Sequence, residues 1–130
     1  MIAVVERAVG AAVPEANGVF VTFAFSGPRD RTMRVRLYID PVDDAALADS
    51  VDRAFAGAWA ASPIDPVSIS LEAVAGQRPE VPPGGVVQVI DLRPAAAELG
   101  IESRDVVDRR ITLSEVILIE RYGPAGRDEE

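Results

Sequence analysis

The sequence predicts an α+β fold, with a mixed or antiparallel sheet of three to five strands and two helices packed on one face. Three observations support this prediction: a helical apolar stripe in residues 43–61, strict alternation of apolar and polar residues in three shorter segments, and a hydrophobic content of 48% in 130 residues. A chain of this length forms one domain around one core. We therefore expect a single domain over residues 1–125 and a disordered acidic tail at 126–130.

The N-terminal part is predicted to form a helix followed by a β-hairpin. Apolar residues recur at helical spacing over 2–13, and Pro14 ends this helix because the residue before a proline avoids helical backbone angles. Residues 19–25 and 33–40 alternate between two faces, which is typical of half-buried strands. Residues 26–32 are predicted as the hairpin loop, and this short connection implies antiparallel pairing.

The middle of the chain is predicted to form a long helix and a third strand. Asp43 or Asp44 caps a helix that runs to about Ala61, since carboxylates favour a helix N-terminus. Residues 67–73 alternate cleanly, and a right-handed crossover places this strand parallel to the second one, with both helices on the same face. The apolar stripe of the helix consists of Leu47, Val51, Ala54, Phe55, Ala58 and Trp59.

The C-terminal part is predicted to contain a loop, a strand and a short helix, followed by one ambiguous segment. Residues 76–85 are a loop rich in proline and glycine, residues 86–92 a strand, and residues 93–100 a short helix with proline in its first turn. Residues 111–122 are ambiguous, because their β-branched residues favour a strand. The capping-box sequence TLSE, which begins at Thr112, and the Gly-Pro stop that follows favour a helix, and we predict the helix.

The composition limits the chemistry that this chain can perform. It contains no histidine, no cysteine and no lysine, and it carries a formal net charge of −8. The usual general acid/base, the strongest nucleophile and most transition-metal ligands are therefore missing, which argues against an enzyme, and no cofactor is expected. The negative charge argues against nucleic acid and anionic lipid as partners. Without an apolar stretch of spanning length, we expect a soluble, cytoplasmic protein and no membrane association.

The second face of the predicted sheet is the main candidate site. If the apolar residues of the three strands face the helices, alternation directs a set of aromatic, arginine and hydroxyl side chains to the opposite face, which nothing in the first 75 residues covers. Such residue types are enriched at protein interfaces and in polar ligand sites. The set consists of Phe20, Thr22, Arg34, Arg36, Tyr38, Ser68, Ser70 and Glu72.

Two functions fit this face. The first is a non-catalytic interaction or adaptor module that binds a protein, most simply a second copy of itself, through the open sheet face or an exposed edge strand. The alternative is a small-molecule binding protein or a histidine-free enzyme, in which Arg34 and Arg36 bind an anionic group and Tyr38 or a carboxylate moves protons. The alternation alone also allows the face to be merely solvated, or to be covered by the C-terminal part of the chain.

Two charged clusters have simpler explanations than a site. Asp40, Asp43 and Asp44 have the oxygen ligands that a divalent cation needs, but strand termination and helix capping are the preferred explanation. Arg104, Asp105 and the run from Asp108 to Arg110 can hold an anion or form a solvated surface.

Overall fold

The computed structural model confirms the α+β class with a mixed sheet. It describes residues 2–27, 30–40, 42–62, 66–78 and 88–124. Residues 126–130 and most of the predicted loop at 76–85 lie outside these ranges. The elements are α1 (Ile2–Ala12), β1 (Gly18–Gly27), β2 (Asp30–Ile39), α2 (Asp44–Ala61), β3 (Ser68–Ala75), β4 (Val89–Ile90), α3 (Arg93–Glu98), a 3-10 turn (Ser103–Asp105), β5 (Val106–Val107), β6 (Arg110–Ser114) and α4 (Glu115–Tyr122).

The sheet has the order β1-β2-β3-β6-β5, with β4 also beside β3. As predicted, β1 and β2 pair antiparallel, and β2 and β3 pair parallel across the α2 crossover. Because β2 occupies one side of β3, the two antiparallel partners β6 and β4 share its other side. β6 pairs with Ser68–Leu71, and β4 pairs with Ala73 and Val74.

Helices α1 and α2 cover one face of the sheet, and the core lies between these layers. Val5 and Val9 of α1 are fully buried, as the helical spacing predicts. A side chain at Gly57 of α2 would meet the Cβ of Ala12 at 3.2 Å, so small residues permit the close approach of the two helices. The six residues of the predicted α2 stripe are all buried.

The ends of α2 are held by specific hydrogen bonds. Asp43 is the N-cap residue, and its Oδ1 accepts a hydrogen bond from the backbone N–H of Ala46 at 2.8 Å. Near the other end, Nε1 of Trp59 donates to the carbonyl oxygen of Gly123 at 2.9 Å. The C-terminal part of the chain is thereby attached to the helical layer.

Two sequence-based boundaries differ from the structure. The predicted hairpin loop at 26–32 is too long, because β1 continues to Gly27 and β2 begins at Asp30. The predicted strand at 86–92 is observed only as Val89–Ile90, with residues 86 and 87 outside the described ranges. The hairpin loop is shorter than predicted because β1 and β2 remain paired as far as Gly27 and Asp30.

Residues 111–122 are partly strand and partly helix, so the predicted helix is found only at Glu115–Tyr122. The first residues belong to β6 because the side of β3 left free by β2 takes up a partner strand. The helix α4 begins only at Glu115, and its cap is Ser114, whose Oγ accepts from the N–H of Ile117 at 3.5 Å. Thr112 therefore lies in a strand instead of capping a helix. Within the described ranges, no helix combines the length and the apolar character needed to cross a membrane.

Candidate functional site

The sheet face opposite the helices carries a shallow depression of about 190 Å³. Strands β1, β2, β3 and β6 each contribute side chains to it, and alternation along each strand selects which ones. Phe20 is 41% exposed here, whereas its neighbours in sequence, Val19 and Val21, are buried on the helical side. We call this surface the arginine face; it is lined by Phe20, Thr22, Arg34, Val35, Arg36, Ser70, Glu72 and Arg110.

Glu72 is the centre of the charge network in the arginine face. Its side chain is only 12% exposed, and a carboxylate in such a position requires cationic partners. Nε of Arg36 donates to Glu72 Oε2 at 2.6 Å, and Nη2 of Arg110 donates to Glu72 Oε1 at 3.3 Å. One carboxylate thus holds two guanidinium groups that come from strands on either side of β3.

Arg34 differs from the other two arginines because it has no acceptor. It is exposed, and it makes no hydrogen bond or ion pair with any residue that the structure describes. Its cross-strand neighbours are Thr22 on β1 and Ser70 on β3, neither of which carries a charge. The arginine face therefore has three positive charges and one negative charge, an excess of two positive charges in a chain whose net charge is −8.

The end of the face near Tyr38 is closed, which corrects the prediction of an open surface there. Tyr38 is 5% exposed and Val74, its partner in register, is 2% exposed. Nη1 of Arg36 donates to the Tyr38 hydroxyl at 3.4 Å. This hydrogen bond and the shorter ion pair with Glu72 raise the pKa of Arg36. The buried Tyr38 therefore helps to hold the Arg36 guanidinium in position as a hydrogen-bond acceptor.

The hydroxyl groups of the face are bonded to one another across the strands. Oγ1 of Thr32 and Oγ of Ser68 lie 3.2 Å apart, and Oγ1 of Thr112 donates to Oγ of Ser70 at 3.1 Å. Ser70 is only 7% exposed. The pair around Ser68 lies outside the depression, so of the predicted serines only Ser70 lines it.

The β1 edge of the sheet is closed by side chains where it borders the arginine face. Glu6 Oε2 accepts from the N–H of Val21 at 2.9 Å, and Arg78 Nη1 donates to the carbonyl oxygen of Val19. Glu6 and Arg78 also form an ion pair at 3.2 Å. These contacts occupy the backbone groups that strand addition needs, so the alternative of binding through an exposed edge does not apply at Val19–Val21.

The guanidinium of Arg78 also lies over the ring of Phe20, with 5.3 Å from its Cζ to the ring centroid. This contact links the closed β1 edge to the arginine face, and it fixes one wall of the depression while leaving Phe20 partly exposed.

Arg110 belongs to the arginine face and Thr112 contacts it through Ser70, although neither was predicted there. Residues 110–114 alternate polar and apolar, with Ile111 and Leu113 fully buried, and this is the signal of a strand. The segment is only five residues long, and the helical features that follow it obscured the pattern. Arg110 appeared in the sequence only as part of a charged run.

The remaining members of that charged run lie elsewhere. Arg104 forms an exposed ion pair with Glu102, 3.0 Å from Nε to Oε2. Asp108 and Arg109 form the two-residue turn between β5 and β6, with φ values of 52° and 67°. The run therefore does not bind one anion as a unit, and Arg110 alone lines the depression.

Two of the three aspartates considered as metal ligands accept hydrogen bonds within the fold, and Asp44 lies in the first turn of α2. Asp43 caps α2, and Asp40 Oδ1 accepts from Nδ2 of Asn17 at 3.2 Å. In the ranges that the structure describes, no three carboxylate side chains are grouped closely enough to hold a metal ion.

Comparisons of the chain with protein-family models, with curated proteins and with solved structures give no match. The function is therefore inferred from the geometry of this chain.

Proposed function

We propose that this protein is a non-catalytic interaction module that self-associates through the arginine face. The observation that carries the proposal is the unpaired Arg34, exposed beside Phe20 in a depression with an excess of two positive charges. Arginine and aromatic side chains are enriched at protein interfaces, and an exposed guanidinium without an acceptor can bind a carboxylate through two parallel hydrogen bonds.

Charge complementarity favours a second copy of the chain as the partner. The net charge is −8 and the arginine face contributes +2, so the rest of the chain carries −10. Two arginine faces placed against each other would repel, which disfavours a symmetric contact between them. The arginine face of one copy instead favours contact with the remaining, net negative part of another, and such a head-to-tail contact builds rings or open chains.

An anionic small molecule is the second candidate function, because Arg34 would serve it equally well. The depression measures about 190 Å³, whereas pockets for drug-sized ligands occupy roughly 300–1,000 Å³. A single side chain of a protein partner fits this volume better than a whole metabolite does. The size of the depression therefore favours the interaction module.

Sedimentation of the wild type and of Arg34→Glu at two ionic strengths tests the proposal. We expect the wild type to form an oligomer at tens of micromolar that dissociates in high salt, since salt screens contacts between exposed charges. Arg34→Glu should be monomeric at both ionic strengths. Arg36→Glu is less suitable, because it would place a second carboxylate beside the half-buried Glu72 and disturb the monomer itself.

Arg104→Glu is the matched control, since Arg104 is 76% exposed and lies outside the arginine face. It changes the net charge by the same amount and should sediment like the wild type. A wild-type protein that remains monomeric at low salt would contradict the proposal. An Arg34→Glu variant that assembles like the wild type would contradict it equally.

A further inference from the structure

We infer that the depression in the arginine face is a carboxylate-binding subsite, in which Arg34 and Arg110 together bind one acidic side chain of a second copy of the chain. This inference rests on the proposed self-association and specifies the chemistry of its contact. It does not require that the acidic residue come from one particular position on the partner.

The first observation behind the subsite is a set of hydrogen-bond donors without acceptors. Nε of Arg110 is buried and has no hydrogen-bond partner among the described residues. A buried donor left unpaired is costly, so an acceptor that pairs with it stabilises the complex more than an ordinary surface contact would. Arg34 adds a complete guanidinium without an acceptor to the same depression.

The second observation is that Glu72 holds the subsite in place without neutralising it. Glu72 pairs with Arg36 through Oε2 and with Arg110 through Oε1, and it forms no hydrogen bond or ion pair with Arg34. Arg110 is thereby fixed through Nη2 while its Nε remains unpaired. Part of the entropy cost of ordering a long side chain is thus met before the ligand binds.

The third observation is the composition of the walls. Oγ of Ser70 accepts from Thr112, which leaves its own hydroxyl hydrogen to donate toward the depression that Ser70 lines. On the opposite side, Phe20 supplies an apolar wall that Arg78 supports from outside. A carboxylate between Arg34, Arg110 and Ser70 would therefore meet donors on one side and a hydrocarbon surface on the other.

NMR titration of the isotope-labelled protein with sodium acetate tests the subsite directly. We expect saturable shifts of the side-chain Nε–H signals of Arg34 and Arg110 and of the backbone N–H of Ser70. Sodium chloride at matched ionic strength should not reproduce them. In Arg34→Gln the affinity for acetate should fall about tenfold or more, the loss expected for a charge-assisted hydrogen bond. Arg104→Gln is the control and should bind acetate like the wild type.

The outcomes separate this inference from the proposed function. Shifts that do not saturate, or that persist unchanged in Arg34→Gln, would overturn the subsite whatever the oligomeric state. Phosphate that saturates the same signals at lower concentration than acetate would overturn the assignment to carboxylates. Saturable acetate binding by a protein that stays monomeric in sedimentation would support the carboxylate subsite while contradicting both self-association and the second copy as its occupant.

Discussion

Individual side chains explain how the C-terminal helix is tied to the rest of the molecule. The hydroxyl of Tyr122 donates to Oδ1 of Asp52 on α2 at 2.8 Å. Arg121 donates from Nη1 to the carbonyl oxygen of Leu99 at 3.1 Å. Burial, together with the hydrogen bond to Asp52, raises the pKa of Tyr122 well above its usual value of 10.0. The neutral phenol is thus the form that the folded state prefers.

The Tyr122 contact predicts a loss of stability at alkaline pH. Because the folded-state pKa is raised, the stabilisation is complete below about pH 10 and declines as the pH rises above that value. The chain has no lysine or cysteine, so few other groups titrate in this range. Urea unfolding midpoints between pH 8 and pH 11 should fall for the wild type and fall less for Tyr122→Phe. Equal slopes for the two proteins would contradict this assignment.

Among the elements, the β5–β6 hairpin stores local backbone strain. Its two turn residues, Asp108 and Arg109, both have positive φ, which is the pattern of the tight turns that match the twist of a hairpin. Aspartate tolerates this region, but an arginine there brings its Cβ close to the following carbonyl oxygen. The turn leads directly into β6, whose first residue, Arg110, donates a hydrogen bond to Glu72.

Replacing Arg109 by glycine should therefore stabilise the protein. The relief of left-handed strain is about 1–2 kcal/mol, and the greater flexibility of glycine in the unfolded chain offsets part of it. We expect the free energy of unfolding to rise by about 0.5–1 kcal/mol, measured by urea denaturation. Arg104→Gly is the control, since Arg104 is not among the described residues with positive φ and should lose stability. A destabilised Arg109→Gly would contradict the strain.

At the scale of the whole molecule, the charge distribution sets the response to pH. Hydrogen bonds from Arg53 and then Ser50 lower the pKa of Glu15 from 4.5 to about 2, and those from Arg93 lower the pKa of Asp91 from 3.8 to about 2. Both contacts contribute stability above the unfolded pKa values and lose it as the pH falls toward 2. The side chains are partly exposed, so each contribution is small.

We therefore expect a flat stability profile between pH 6 and pH 8 and a decline below about pH 4.5. No histidine is present to titrate in the neutral range. Thermal melting across this range measures the profile. Glu15→Gln and Arg53→Gln should each make the acid decline shallower, because either variant removes the same ion pair. A steep transition near pH 6.5 would contradict the prediction.

Much of the fold was predictable because its signals are local. The stripe of α2 and the alternation in β1, β2 and β3 depend on neighbouring residues in the chain, so the element order and the side on which most residues lie followed from periodicity. The ends of β1 and β2 did not follow, because cross-strand pairing decides how far a hairpin extends. The strand at the start of residues 111–122 was missed for the same reason, since pairing with β3 selects a strand over a helix there.

The sequence by itself determined that histidine, cysteine and lysine side chains take no part in the chemistry of these 130 residues. It also determined which strand residues share the face opposite the helices, because alternation requires no tertiary contact. The tertiary structure decided the rest of the site. It brought Arg110 from 38 residues away onto Glu72, buried Tyr38, and gave Arg34 no acceptor among the described residues. Such long-range contacts depend on which distant strands become neighbours, and no local pattern specifies that.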